Sequence, residues 1–279
     1  MKIEGVVVLY NPNKNIIDNI KTYINEVETL YVIDNSSEKD NSLINEIKQL
    51  SQKCLYIDNF SNKGIAYALN MGVKLAIKES SDWLLTMDQD SKFEKNDLFK
   101  LIESIDEDDI QNIGIISPLH NINELNMNSD NNHITMTSGN LLNLHILEKI
   151  GFFLEDLFID SVDTEYCLRL YEHGYRIKRN HAVLLNHNLG EQKVYTLLWK
   201  KYTSSNHNAI RRYYMMRNRL YIWDKYSRIL PSFIARDKKE ALKEALKIIL
   251  FEDKKISKVL YILKGCFDYK RKKFGKIND

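Results

Sequence analysis

The chain has 279 residues, 44% apolar and 28% charged, a balance that supports a sizeable core and excludes disorder over its whole length. Forty Lys and Arg against 38 Asp and Glu leave a formal +2, too little for a protein that coats nucleic acid, so no nucleic-acid partner is expected. Three isolated cysteines, Cys54, Cys167 and Cys266, make neither a disulfide framework nor a metal knuckle and read as reduced thiols of a cytoplasmic protein. No apolar run approaches the roughly 18 residues that span a bilayer. Met1–Glu4 leads straight into a strand pattern, which argues against a signal peptide.

Ile3–Tyr10 (IEGVVVLY) reads as a buried strand, broken by Asn11-Pro12-Asn13. Leu30–Asp34 is a second strand, ending in Asn35-Ser36-Ser37, and Cys54–Asp58 a third. From Ile65 the apolar positions Ile65, Ala68, Leu69, Gly72, Val73 and Ala76 recur on one helical face, with Asn62 near the start as a cap. Trp83–Met87 is a further strand that runs into Asp88-Gln89-Asp90. A helical stretch around Leu98–Ile105 precedes strand Ile113–Ser117. Strands alternating with helices predict an α/β fold, a mostly parallel central sheet covered on both faces. Beyond Pro118, residues 121–132 are polar and Asn-rich and read as a surface loop. A shorter α+β region follows: Thr135–Ser138, helices near Leu144–Ile150 and through Glu165–His173, then strand-like Arg176–Asn180 and Val183–Leu185. Helical patterns dominate from about Asn206.

Open parallel sheets bind ligands at the carboxyl ends of their strands. Asn11, Asp34-Asn35, Asn59, Ser61-Asn62-Lys63-Gly64 and Asp88-Gln89-Asp90 all follow expected strands and converge on one rim. Each cluster alone is ordinary turn chemistry; their co-location is the signal. In extended backbone, residues i and i+2 share a face, so Asp88 and Asp90 can approach one Mg²⁺ or Mn²⁺ that bridges phosphate oxygens. There is no Gly-rich phosphate loop, so a bound phosphate would rely on metal and side-chain charge. Asp160, Asp163 and Glu165 form a second acidic cluster. Asp163 suits either a helix start, favoured by the helix dipole, or a general base. His187 fits a third metal ligand or a hydrogen-bonded surface group. Arg211, Arg212, Arg217 and Arg219 interleave with Tyr213, Tyr214 and Tyr221 on an expected helix. They suit an anionic ligand or ordinary ion pairs.

In order, VVVLYNP (6–12), VIDNSS (32–37), NKGIAYALNMG (62–72), LLTMDQDS (84–91), TSGNLL (137–142), FIDSVDTEYCLRL (158–170), HNLG (187–190) and RRYYMMRN (211–218) resemble family 2 glycosyltransferases of the GT-A fold, and more narrowly bacterial rhamnosyltransferases. The resemblance covers residues 3–225 and implies a glycosyltransferase domain at 1–228 followed by a helical extension at 229–279. It implies that Tyr10, Asn11, Asp34, Asn35, Asn62, Lys63, Asp88 and Gln89 hold the donor nucleotide. Asp88, Asp90 and His187 would hold Mn²⁺ or Mg²⁺, and Arg212, Arg217 and Asn218 would lie near the diphosphate. Ser138, Gly139, Asn140 and Asp160 would face sugar and acceptor, with Asp163 as the base of one inverting, in-line displacement and Asp160 as its fallback. The implied donor is dTDP-L-rhamnose and the implied acceptor a saccharide or lipid-linked saccharide of cell-surface polysaccharide synthesis. A UDP-hexose or UDP-galactofuranose donor is the alternative, as is a non-catalytic nucleotide-binding module. Such a module would have no reason for an acid at Asp163.

Residues 254–276 hold nine basic residues and one acid, a net +8; with Asp279 counted, the total leaves −5 on residues 1–253. Residues 236–250 place Leu242, Ala245, Leu246 and Ile249 on one stripe, and residues 256–274 combine Ile256, Val259, Leu260, Leu263 and Phe267 with the basic cluster. A helix of this kind lies on anionic lipid, here the inner face of the cell membrane, or packs on the catalytic domain or on a second copy in a homo-oligomer.

Overall fold

The computed structural model describes residues 1–105, 110–120, 133–187, 193–197 and 200–277, with the side chains of 187–204 outside that description. The polar stretch 121–132 and most of HNLG at 187–190 therefore lie outside the described residues. The chain divides into two compact units, Met1–Glu155 with Val162–Asn188, and Asp156–Ser161 with Leu189–Asp279.

The first unit is built on a seven-stranded sheet. Its strands are β1 (Ile3–Leu9), β2 (Leu30–Asp34), β3 (Cys54–Asp58), β4 (Trp83–Asp88), β6 (Ile113–Leu119), β7 (Asn140–Asn143) and β8 (Arg176–Leu184). The spatial order is β3-β2-β1-β4-β7-β6-β8. All seven residues of β1 are buried, as expected for a central strand covered on both faces. β1 runs parallel to β2 and β4, β2 to β3, and β6 to β8, while β7 lies antiparallel between β4 and β6. A two-stranded ribbon, β5 (Ser91–Lys92) with β9 (Asn186–His187), extends from the end of β4. The sheet is flanked by α1 (Asn15–Lys21), α2 (Asn41–Leu50), α3 (Ile65–Lys78), α4 (Asp97–Glu103), α5 (Leu144–Ile150) and α6 (Val162–Glu172).

The helical face expected from Ile65 is α3, and it buries Ala68, Leu69, Gly72, Val73 and Ala76. Gly72 is required by contact, because a Cβ there would lie 2.6 Å from Val6 Cγ2 on β1. Asn62 does not cap this helix. The N-cap is Gly64, at φ 90°, and Asn62 Oδ1 accepts the Gly64 N–H at 2.9 Å in the preceding turn. The strand-like reading of Thr135–Ser138 is displaced, since the strand begins at Asn140. Two asparagines bracketing two leucines are poor strand formers, and burial between two neighbours overrides that preference. The two segments read at 176–180 and 183–185 form the single strand β8, with a register shift opposite Pro118 and Leu119.

The second unit holds the hairpin β10 (Lys193–Leu197) and β11 (Lys200–Ser204) and the helices α7 (Ala209–Tyr226), α8 (Pro231–Phe251) and α9 (Lys255–Lys270). Helix α7 thus groups with the C-terminal helices, although its sequence motif reads with the catalytic segments. α7 and α9 cross closely at Gly265, where a Cβ would lie 2.7 Å from the Tyr213 carbonyl oxygen.

Candidate active site

The carboxyl ends of β1, β2 and β3 are tied together by side chains. Asp34 closes β2 at 2% exposure; its carboxylate accepts the Ser36 N–H at 2.8 Å and the Tyr56 hydroxyl at 2.7 Å. Lys39 Nζ stands 3.2 Å from Asp34 and 2.8 Å from Asp58. Burial pushes the Asp58 carboxyl up, but hydrogen bonds from Lys39 and the Phe60 N–H outweigh it and hold the group below its ordinary value. Burial and the bond to Asp34 push the Tyr56 hydroxyl well above the usual phenol range. Asn35 donates to the Gly64 carbonyl at 3.0 Å and accepts from Asn59 Nδ2 at 2.8 Å, while the Asn11 N–H donates to Ser36 Oγ at 2.7 Å. These bonds bring Asn11, Asp34, Asn35 and the Asn62-Lys63-Gly64 turn onto one rim, with Tyr10 exposed beside them.

Strand β4 delivers the acidic pair, but the alternation ends at Asp88; Gln89 and Asp90 form a turn before β5. The same-face argument from strand geometry therefore does not apply to Asp90. The turn is held by Gln89. Its Oε1 accepts the Tyr10 N–H at 2.8 Å, its Nε2 donates to the Tyr10 carbonyl at 3.2 Å, and its own carbonyl accepts from Asn19 Nδ2 at 2.8 Å. The expected nucleotide residue Gln89 is thus a clamp on the β1 end. Beside it, the Asp88 N–H donates to Ser138 Oγ at 3.0 Å, and the Gly139 N–H to the Thr86 carbonyl at 2.7 Å. Gly139 sits at φ 78°, and a Cβ there would meet Leu185 at 2.9 Å and Pro118 at 3.0 Å, so this turn demands glycine. Asn140 pairs with Thr86 in the sheet. A cleft of about 510 Å³ opens next to the turn, lined by Pro12, Asn15, Asp18, Gln89, Asp90 and Asn186.

Asp163 lies in the first turn of α6, half-buried, with its Oδ1 accepting the Thr164 N–H at 2.7 Å. It borders a small cavity together with Thr86, Thr137, Asn140, Tyr166 and Cys167, which places it beside the strand that ends in Asp88. Asn140 Oδ1 and the Tyr166 hydroxyl are buried with no partner among the described residues. Burial pushes the Cys167 thiol up to about 12, so it is a packed thiol and not a nucleophile. Glu165 is structural. It pairs with Arg169 at 2.9 Å, and that guanidinium holds the carbonyls of Ile150, Gly151 and Phe152.

In the second unit, Phe158, Asp160 and Ser161 all sit in left-handed backbone, at φ 64°, 63° and 63°. Asn218 Nδ2 donates to the carbonyls of Leu157, Ile159 and Asp160 at 2.8–2.9 Å. Arg217, fully buried, donates to the carbonyls of Asp156, Leu157 and Gly275. Arg212 is buried against Glu252 at 2.6 Å, and Arg211 pairs with Asp160 at 3.0 Å. The three residues expected at a diphosphate, Arg212, Arg217 and Asn218, therefore face the interior of this unit. Full burial leaves Arg217 no open surface, and its work is to hold the strained segment that carries Asp160.

The residues fit a divalent cation by the chemistry of their donors. Two carboxylates leaving one turn supply only hard oxygen ligands, the set with which Mg²⁺ or Mn²⁺ keeps water and phosphate in its other positions. Among the described residues no group of three or more His, Cys, Asp or Glu gathers. The main chain of His187 pairs with Ser91, next to Asp90; its side chain lies outside the described residues. Sequence reasoning missed Lys39, Tyr56, Ser36 and Thr86. Thr86 has a local signal, a lone polar residue inside the apolar strand TrpLeuLeuThrMet; the other three each reach to a second strand end, Tyr56 to Asp34, Lys39 to Asp58 and Ser36 to Asn11.

Comparison with known proteins matches the Glycosyl transferase family 2 profile over residues 6–167, from β1 into the helix that carries Asp163. The chain is 26% identical over 238 residues to the dTDP-rhamnosyl transferase RfbF of Shigella flexneri, covering 77% of this chain and 78% of that one. Among solved structures, S. aureus TarS 1-349 in complex with UDP-GlcNAc superposes with a TM-score of 0.63 at 14% identity, over 96% of this chain and 80% of that one. A longer TarS structure gives 0.54, and the chain spans 43% of its length. These superpositions show the shared α/β architecture. The profile runs over more than half of the chain and takes in every strand end that forms the rim, so the chain belongs to glycosyl transferase family 2, with the GT-A fold.

Proposed function

We propose that this glycosyltransferase moves L-rhamnose from dTDP-L-rhamnose to a hydroxyl of a saccharide or lipid-linked saccharide acceptor of cell-surface polysaccharide synthesis, inverting the anomeric carbon. The observation that carries the reading is the convergence at the end of β4: Asp88, the Ser138–Asn140 turn bonded to it, and the cavity that Asp163 borders. The choice of donor is supported by the dTDP-rhamnosyl transferase relative.

The rim residues Tyr10, Asn11, Asp34, Asn35, Asn62 and Lys63 receive the nucleobase and ribose. Gln89 works through Tyr10, fixing the turn from which Asp90 projects. Asp88 and Asp90, with His187, are the groups that would hold Mg²⁺ or Mn²⁺, and that cation would neutralise charge on the departing diphosphate. Asp163 takes the proton from the acceptor hydroxyl as its oxygen attacks the anomeric carbon, and the nucleoside diphosphate leaves from the opposite face. Arg217 and Asn218 hold the 156–161 segment, which carries Asp160, the residue assigned to the acceptor.

The test incubates the purified full chain and Mg²⁺ or Mn²⁺ with dTDP-L-rhamnose, UDP-hexoses and UDP-galactofuranose, and reads nucleoside diphosphate release. dTDP-L-rhamnose is expected to turn over at least about tenfold faster than the others; a UDP sugar turned over faster rejects the donor. Asp163→Asn is expected to lower transfer about 100- to 10,000-fold, with dTDP affinity by calorimetry unchanged. An active Asn variant rejects the base assignment.

A further inference from the structure

Along α9, Ile256, Leu260, Leu263 and Phe267 are 79%, 59%, 57% and 51% exposed. Spacings of four, three and four put them on one face, opposite the Lys258, Gly265 and Asp268 that the helix buries. α8 repeats the arrangement: Leu242, Leu246, Ile249 and Leu250 are all more than half exposed, off the side that buries Ile234 and Ile248. The two stripes sit on successive helices joined by residues 252–254. Exposed aliphatic stripes of this kind mark a partner.

Charge selects the occupant. Exposed Lys264, Lys270 and Arg271 flank the α9 stripe, Lys254 and Lys255 precede it, and Lys272 and Lys273 follow it. The acid of α9, Asp268, is buried and accepts from the Tyr213 hydroxyl and from Lys264. Lys239 and Lys243 stand beside the α8 stripe, where exposed Glu240 is paired with Lys243 at 2.6 Å. In the connecting turn, Asp253 accepts from Asn206. Two copies joined stripe to stripe would set lysine against lysine. A bilayer with acidic headgroups offers acyl carbon to the stripe and negative charge to its flanks.

We infer that α8 and α9 form a docking face for an anionic lipid bilayer, on which the second unit lies without crossing it. No helix among the described residues is long and apolar enough to span a membrane. This inference does not depend on which sugar is transferred.

The test is co-sedimentation of the full chain with vesicles of phosphatidylcholine alone or with one-third phosphatidylglycerol. Binding to the anionic vesicles is expected to be at least about tenfold stronger, and to fall as salt is raised. The double variant Leu260→Ser/Leu263→Ser is expected to bind at least about fivefold more weakly, with an unchanged melting temperature, because both side chains are already exposed. Equal pelleting with the two vesicle types, or undiminished binding by the double variant, overturns the inference. A concentration-dependent dimer in sedimentation velocity that the double variant dissolves overturns it in favour of self-association. Nucleoside diphosphate release in vesicle-free solution is a separate readout, so failure here leaves the catalytic reading standing.

Discussion

A side-chain carboxamide offers one acceptor and two donors, enough to satisfy both polar atoms of a main-chain residue elsewhere in the chain. Gln89 does this for Tyr10, and Asn70 does it for Phe153, accepting its N–H and donating to its carbonyl at 2.9 Å each while also donating to Glu155 at 2.8 Å. The two sites differ in solvent access. Tyr10 is exposed, so water replaces a lost partner there, whereas Asn70 and Phe153 are buried. Asn70→Ala is therefore expected to cost about 2–4 kcal/mol, read as a lower urea midpoint with an unchanged slope. At this scale the sequence was informative about residue types and silent about partners. Asp88 and Asp90 stand out as an acidic pair after an apolar strand, but that Gln89 between them clamps a residue 79 positions away depends on two strands lying side by side.

Among the elements, strong periodicity was legible and weak propensity was not. β1, β2, β3 and α3 follow from β-branched runs and a helical apolar face. β7 did not, because asparagine at its two ends hides a strand that only burial between β4 and β6 stabilises. The ends of β2 and β3 carry a pH prediction. Asp58 has a folded value held below its ordinary 3.8, with Lys39 against it. Its stabilising contribution is then fully present above that ordinary value and is lost as pH falls through the lower folded value. Asp58→Asn should consequently flatten the acid limb of the stability profile below about pH 4, measured by thermal melts across pH; an unchanged limb rejects Asp58 as a contributor. Lys39 was invisible as a site residue, since its role arises only where two parallel strands end at the same level.

For the whole molecule, the segment 156–161 belongs with the C-terminal helices although it interrupts the first unit in sequence. Arg217 holds it through the carbonyls of Asp156 and Leu157, ties it to the Gly275 carbonyl, and lies within 5.5 Å of the centres of the Tyr213, Tyr214 and Phe274 rings. A lysine cannot reproduce the planar fork. Arg217→Lys should lower stability by about 2–4 kcal/mol, visible in calorimetry; an unchanged melting transition rejects this role for the guanidinium.

Local pattern alone determined where the main strands lie along the chain, the acidic pair and the amphipathic character of the tail, because periodicity and turn chemistry are properties of neighbouring residues; the family was legible through the resemblance of its ordered motifs. Only the tertiary structure decided that the Arg-Tyr-Tyr-x-x-Arg-Asn motif turns inward, that Gln89 serves the backbone, and that the aliphatic stripes of α8 and α9 are left uncovered. Burial and hydrogen-bond partnership are set by chain segments far apart in sequence, and no local window contains them.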